Sequence, residues 1–354
     1  MPLTVLSVGF PLARISPETA GGAEQVLLSL DRGLVAEGHR SIVLAPLGSR
    51  CHGLLIPAQV PGGRLDEPAK REARRSFQRA LERALARFST DLVHMHGLDF
   101  DQYLPQQQDV PVVVSLHLPL SWYQAEALRP SRPNMALVCV SKSQRATAAR
   151  DNDIMAVVPN GVDVEEFTSS RGKGSYALVL GRICPEKAHH LAIEAAERAQ
   201  VNLFIAGTVF DYPEHRRYFD TIVRPRLGPY ARFLGAVGGG RKTQLLRGAR
   251  CLLIPSQAPE TSSLVAMEAI AAGTPVIAWR SGALPEIVAD GRTGFIVSSV
   301  EEMADAIRRA ALISPETCRR EAQRRFDGRQ MISRYLDLYR TMACEANTQE
   351  RRAA

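Results

Sequence analysis

Two glutamates eight positions apart, Glu260 and Glu268, are the residues of this 354-residue chain whose type and spacing first point to chemistry. Carboxylates accept hydrogen bonds from sugar and ribose hydroxyls. Between them stand Thr261, Ser262 and Ser263, whose hydroxyls suit a helix N-cap. A helix starting near Ser263 carries Glu268 about one and a half turns along, roughly 7–8 Å from its first turn. Both acids can then border one crevice. The helix start beside them offers unpaired N–H groups and partial positive charge, which suit a phosphate. Acids for hydroxyls and a helix end for phosphate together fit a nucleotide sugar.

The elements that must hold these residues alternate. Cys251 to Ile254 is an apolar run closed by Pro255 and Ser256, the pattern of a buried strand entering a loop. The small-residue helix after Ser263 ends near Gly273, with Pro275 beyond it. Val276 to Trp279 reads as another strand and Pro285 to Ala289 as a helix start, the order of a parallel sheet covered by helices. Such sheets bind ligands at the carboxyl ends of their strands. Upstream, the strand Tyr176 to Leu180 runs into Gly181 and Arg182, and Pro185, Glu186 and Lys187 open a helix through Ala199. Strands at Val201 to Gly207 and Ala231 to Gly235 follow, then a turn at Gly238 to Gly240 before a helix at Thr243 to Ala249.

The first half has the same alternation. Leu3 to Phe10 reads as a strand, Gly21 and Gly22 as a phosphate-side loop, and Val26, Leu27, Leu30, Leu34 and Val35 as the apolar face of a helix. The G-x-G-x-x-G pattern of dinucleotide binding is absent. Arg40 to Pro46 and Leu54 to Val60 are further strands. A helix from Pro68 to Phe88 sets Phe77, Leu81, Leu85 and Phe88 on one face. From Lys70 on it carries seven cations against two acids, a net of +5 that suits anionic lipid or an anionic acceptor, or simply a solvated face. Asp91 to His96 and Val110 to His117 are inner strands, each with a histidine at its tip; Leu137 to Val140, a helix capped by Ser141 and the strand Ala156 to Pro159 follow. Asp99 and Asp101 spell D-x-D, but without other hard ligands nearby the pair is read as a loop motif rather than a metal site.

Composition, at 45% apolar and 23% charged residues, is that of a globular protein, and the net charge of +7 favours anionic ligands without choosing among them. Six scattered cysteines with no C-x-x-C pair argue for reduced thiols over a disulfide frame or a zinc site. Nothing resembles a signal peptide or a run of about 20 apolar residues. A cytoplasmic protein is expected, with any membrane contact peripheral, at the inner face and through the basic 70–88 helix. Nucleic acid is not an expected partner, since basic and aromatic residues do not interleave.

The stretch E, seven residues, E, then G-x-P-V-I-A and S-G-x-x-P-E-I-V resembles the C-terminal half-site of family 4 glycosyltransferases, the retaining group 1 enzymes. Glu260, Glu268, Gly273, Pro275, Val276, Ile277, Ala278, Ser281, Gly282, Pro285, Glu286, Ile287 and Val288 carry the match. Gly21 to Glu24 (G-G-A-E), D-x-V-H-x-H ending at His96, V-P-N-G-V-D from Val158 to Asp163 and G-R-x-x-P-E-K from Gly181 to Lys187 are similar to other parts of that family's pattern. The resemblance implies a GT-B fold: two Rossmann-like parallel-sheet domains, residues 1–168 on the acceptor side and 169–325 for the nucleotide sugar, facing a central cleft. Residues 326–354 would be a C-terminal helix returning to the N-terminal domain, with a frayed tail.

It implies a transfer from a nucleoside diphosphate sugar, UDP favoured over GDP, to a sugar, glycan or lipid-linked hydroxyl, with no cofactor and no metal. His117 and Glu260 would be catalytic. Gly21, Gly22, Arg182, Lys187, Ser262, Ser263, Leu264 and Glu268 would bind the donor, with Arg182 and Lys187 on the diphosphate and Glu268 on the ribose. His94 and His96 would support them. Where many members carry E-G-F-G this chain has Glu260, Thr261, Ser262 and Ser263, and Ala188 replaces a frequent glycine. The competing readings are an epimerase, hydrolase or phosphorylase of the same fold, and a non-catalytic nucleotide-sugar or anionic-glycan binding protein.

Overall fold

In a computed structural model the chain describes residues 2–61, 66–150, 152–168 and 172–353, with side chains to residue 346. It divides into two compact units, one of Met1–Asn160 with Arg329–Ala354, the other Gly161–Gly328. Each is built on one open, wholly parallel sheet.

The first sheet has the order β3-β2-β1-β4-β5-β6-β7. Its strands are β1 (Thr4–Val8), β2 (Arg40–Pro46), β3 (Leu54–Ala58), β4 (Leu92–Met95), β5 (Val112–Leu116), β6 (Met135–Cys139) and β7 (Ile154–Val157). The strands β4, β5 and β6 are buried along their whole length, the pattern of a parallel sheet covered on both faces, with His94 and Ser115 as buried polar residues in β4 and β5. The helix Gly22–Ala36 buries Val26, Leu27, Leu30 and Leu34, while Val35, expected on that face, is exposed. The basic helix Glu67–Arg87 buries Ala73, Phe77, Ala80, Leu81 and Ala84. The final helix, Gly328–Ala353, buries Tyr335 and Tyr339 completely. Its Ile332 lies so near the first helix that a Cβ on Gly33 would stand 2.5 Å from Ile332 Cδ1. The helix runs on past Glu345, where a frayed tail was expected.

The second sheet has the order β10-β9-β8-β11-β12-β13, with β8 (Ala177–Leu180), β9 (Leu203–Ala206), β10 (Ala231–Phe233), β11 (Cys251–Ile254), β12 (Val276–Trp279) and β13 (Gly294–Val297). Residues 161–168, read from sequence as the end of the first domain, fall in this unit because Val162, Val164 and Phe167 bury their side chains in its core. Val162 bridges Asp327, and the chain breaks there between two helices, Pro315–Arg325 and Gly328–Ala353. The stretch Phe167 to Gly174, whose polar, Gly- and Ser-bearing sequence reads as a linker, lies partly outside the described residues.

The helix expected from Pro185 to Ala199 is likewise two pieces. A 3-10 turn, Pro185–Lys187, precedes the helix His189–Ala199, and Ala188 between them is left-handed at φ 47°. A side chain with a Cβ is strained in that region, which is the physical reason a glycine suits this position. Gly239 and Gly240, expected in a turn, instead form the first residues of the helix Gly239–Gly248.

Candidate functional site

In each sheet the strand order reverses beside the unit's first strand, between β1 and β4 and between β8 and β11. Loops leaving such neighbours diverge and open a crevice beyond their carboxyl ends. At the second reversal, β8 leads to Arg182 and the turn Pro185–Lys187, and β11 leads to Ser256 and Glu260. The two loops are tied by the Gln257 amide, which donates to the Glu186 carbonyl at 2.9 Å.

Glu260 Oε1 accepts from Lys187 Nζ at 2.5 Å and from Ser256 Oγ at 2.5 Å, and its side chain is 11% exposed. Lys187, expected on the diphosphate, and Glu260, expected on the sugar, are thus one ion pair. Arg182 is exposed and makes no ion pair among the described residues. The S-G of Ser281 and Gly282 supports this loop from below. Ser281 Oγ donates to Ala258 O at 2.8 Å and the Ala283 amide to Glu260 O at 2.7 Å. Gly282 has φ +51°, and a Cβ there would meet Glu260 O at 2.2 Å. That motif therefore fixes the height of Glu260.

The helix Leu264–Ala271 starts where its sequence placed it: Ser263 Oγ accepts from the Ala266 amide. The Ser263 hydroxyl is thereby used as a cap, whereas buried Ser262 Oγ has no hydrogen-bond partner. Glu268 is buried on this helix and takes Lys242 Nζ at 2.6 Å. Burial pushes its carboxyl up and the Lys242 ammonium pulls it back, with the Glu166 carboxylate adding to the rise. Lys242 also lies over the Phe167 ring at 5.6 Å, and Thr243 Oγ1 donates to Glu166. The V-P-N-G-V-D stretch thus delivers Glu166 and Phe167 to the Glu268 cluster. Lys242, Ser256 and Glu166 were missed from sequence. No motif marks them, and the charge of Lys242 at the start of a helix was the only available signal.

In the first unit His94, within β4, and the strand-tip histidines His96 and His117 lie ring beside ring. His96 Nδ1 and His117 Nε2 are 3.0 Å apart, with their rings 5.3 Å apart and nearly parallel. The rings of His94 and His96 are 4.0 Å apart. His94 Nδ1 bonds Tyr339 Oη at 2.6 Å and its Nε2 bonds Ser115 Oγ at 2.8 Å; Ser115 Oγ also bonds Tyr335 Oη at 2.5 Å. Burial holds all three histidines neutral, His117 down at about 4 and the other two well below their ordinary value. One proton then lies between His96 and His117. Buried His96 Nε2 has no partner, and an orphaned acceptor is cheaper than an orphaned N–H. That balance favours the shared proton on His96 Nδ1, donated to His117 Nε2.

Gly21 is the N-cap of the first helix, in extended conformation. A Cβ on it would stand 1.8 Å from Glu24 Oε2, so glycine here lets the buried Glu24 carboxylate fold back over the helix start, at the place expected for a donor phosphate or sugar. Gly22 is the first helical residue. In the D-x-D, Asp99 bonds Arg74 Nε at 2.6 Å and accepts from Tyr103 Oη at 3.1 Å; this acid pins the basic helix to the loop.

Two family descriptions match the chain: Glycosyltransferase Family 4 over residues 20–166 and Glycosyl transferases group 1 over residues 164–325. A D-inositol 3-phosphate glycosyltransferase from Saccharomonospora viridis is 33% identical over 53% of this chain and 50% of its own length; the chain thus spans about half of that relative. A phosphatidyl-myo-inositol mannosyltransferase from Mycobacterium leprae is 27% identical over 92% of this chain and 94% of its own. Among solved structures, AviGT4, a glycosyltransferase involved in avilamycin A biosynthesis, superposes with a TM-score of 0.75 at 27% identity, covering 97% of this chain and 98% of that one.

Proposed function

The chain belongs to the family 4, group 1 glycosyltransferases, and from that membership we propose that it transfers a sugar from a nucleoside diphosphate to an acceptor hydroxyl with retention at the anomeric carbon. The observation that carries this reading is the cluster Lys187–Glu260–Ser256 beside Arg182, at the reversal between β8 and β11. Arg182 and Lys187 hold the diphosphate, one by a forked contact and the other as a point charge. As the sugar leaves, negative charge gathers on the β-phosphate; these two cations and the N–H groups opening the helix at Leu264 stabilise it, so the transfer needs no metal. Ser262 Oγ, buried without a partner, adds a donor.

Glu260 accepts hydrogen bonds from the sugar hydroxyls, exchanging part of its pairing with Lys187 for them. Glu268, whose carboxyl burial pushes up and the Lys242 ammonium pulls back, accepts from the ribose. His117, neutral, contacts the reacting sugar without adding positive charge near a ring that itself becomes cationic. The acceptor attacks the anomeric carbon on the face the phosphate leaves, and a phosphate oxygen takes the acceptor proton.

The donor favoured is a UDP sugar, and the acceptor a sugar, glycan or lipid-linked hydroxyl, in keeping with the phosphatidyl-myo-inositol mannosyltransferase it resembles. Among the described residues no helix is long and apolar enough to cross a membrane. Arg71, Arg75, Arg79, Arg83 and Arg87 are all exposed on one basic helix, and this face suits peripheral contact with anionic lipid.

A thermal-shift screen with UDP, GDP, ADP and their common sugars, with and without magnesium, tests the reading on wild type and on the double variant Arg182→Ala/Lys187→Ala. Stabilisation by one nucleotide, unchanged by magnesium and lost in the double variant, is the expected result. No stabilisation by any of them would overturn the donor site. Tight binding with no sugar transfer to any acceptor would favour a binding protein instead.

A further inference from the structure

Three side chains of different chemistry converge within the loop that joins Arg182 to Lys187. Cys184 precedes the turn Pro185–Lys187, Glu186 lies in it, and His215 comes from the helix Pro213–Tyr218. One ligand atom from each stands within 4.8 Å of the other two. Cys184 is 1% exposed and His215 8%, while Glu186 is open to solvent. His215 Nδ1 is buried and has no hydrogen-bond partner. A buried polar atom left in that state carries an uncompensated desolvation cost, and a ligand that satisfies it recovers the loss.

We propose that Cys184, Glu186 and His215 bind a borderline-soft divalent cation of the zinc type, with a fourth position left to water. A thiolate, a carboxylate and an imidazole are all zinc ligands, and three of them with an open place is a stable arrangement. Ligand atoms around a tetrahedral zinc stand about 3.3–3.6 Å apart for the usual bond lengths. Closing the present spacing takes about 1 Å of side-chain movement, and Glu186, exposed to solvent, already faces the Cys184 thiol through a hydrogen bond that the ion would replace. The charges balance: the thiol proton leaves to solvent, and thiolate plus carboxylate offset the dication beside the Arg182 guanidinium. Magnesium and calcium, which require six or more oxygens, do not fit this set.

The ion takes no part in sugar transfer, and its site stands whether or not that reading holds. Cys184 and Glu186 flank Pro185, so a bound ion would fix the turn that ends at Lys187. Zinc occupancy thereby becomes a restraint on Lys187, the cation paired to Glu260.

The full chain, with thiols kept reduced by a phosphine, is dialysed against micromolar zinc and its bound metal counted; cobalt in place of zinc reports thiolate ligation by its charge-transfer absorption. One ion per chain and a thiolate–cobalt band are expected. Cys184→Ser and His215→Gln should each weaken binding at least tenfold, and Cys344→Ser, at the exposed thiol, should leave it unchanged. Absence of bound metal, or a band that survives Cys184→Ser, would overturn the site. Should either buried variant fail to fold, Glu186→Gln on the exposed ligand decides the matter: weaker binding supports the site and unchanged binding refutes it.

Discussion

Lys242 and Glu268 form a nearly buried ion pair, Nζ to Oε1 at 2.6 Å with side chains 16% and 7% exposed. Removing the lysine strands a carboxylate away from water, which costs about 3–5 kcal/mol unless the acid takes up a proton. Glu268 is already pushed above its ordinary value by burial, and loss of Lys242 pushes it further. A folded-state acid raised above its unfolded value loses stability as pH climbs through the raised value. Lys242→Met should therefore be most destabilised at pH 7–8 and recover toward pH 5, as read by denaturant unfolding. A deficit independent of pH would show that Glu268 is not the group responsible.

Glu260 sits where it can exchange Lys187 for a sugar hydroxyl. Glu260→Gln should keep nucleotide binding, since the diphosphate cations remain, while turnover falls about 100-fold. Equal loss of nucleotide affinity and turnover would place Glu260 on the nucleotide instead.

Gly282 combines φ +51° with close approach to the Glu260 carbonyl. Gly282→Ala should cost about 2 kcal/mol or more through strain and clash. A survivor should show turnover reduced through displacement of Glu260. Wild-type melting temperature and turnover in that variant would remove the support assigned to the S-G motif.

Tyr339 and Tyr335 hold His94 and Ser115 from the final helix. Tyr339→Phe deletes a hydroxyl whose buried partner is left unmatched, at about 1–3 kcal/mol. Tyr335→Phe should cost a similar amount, and because both act on one network the double variant should lose less than the sum. A double-mutant cycle by chemical denaturation measures this.

His189 is wholly buried with neither ring nitrogen partnered, and burial takes it down to about 3. The unfolded chain binds its proton near the ordinary value, so this histidine contributes a loss of stability as pH falls from about 6.5 toward 3. His189→Leu should flatten that acid limb and cost nothing at pH 7.5. An unchanged slope between pH 6.5 and 4 would refute it.

Much of this protein is local and was therefore open to a reader of its sequence. The runs Arg40–Pro46, Cys251–Ile254 and Val276–Trp279 are strands with the bounds their apolar pattern implies. Ser141 and Ser263 cap the helices expected of them. Apolar period and capping hydroxyls act over a few residues, so the chain itself determined two parallel-sheet units and put Glu260 on a loop and Glu268 one turn into a helix. What it did not contain is pairing. Glu260 meets Lys187, and Glu268 meets Lys242, across stretches of other elements. His94 meets Tyr339 at a separation of 245 positions. Cys184, in a chain whose cysteine spacing argued against zinc, meets His215. Such contacts depend on which strands lie side by side and which loops emerge together, and no period in the sequence encodes that. The left-handed Ala188 was decided at the same level, because packing of the turn before the helix overrides the preference of its own side chain.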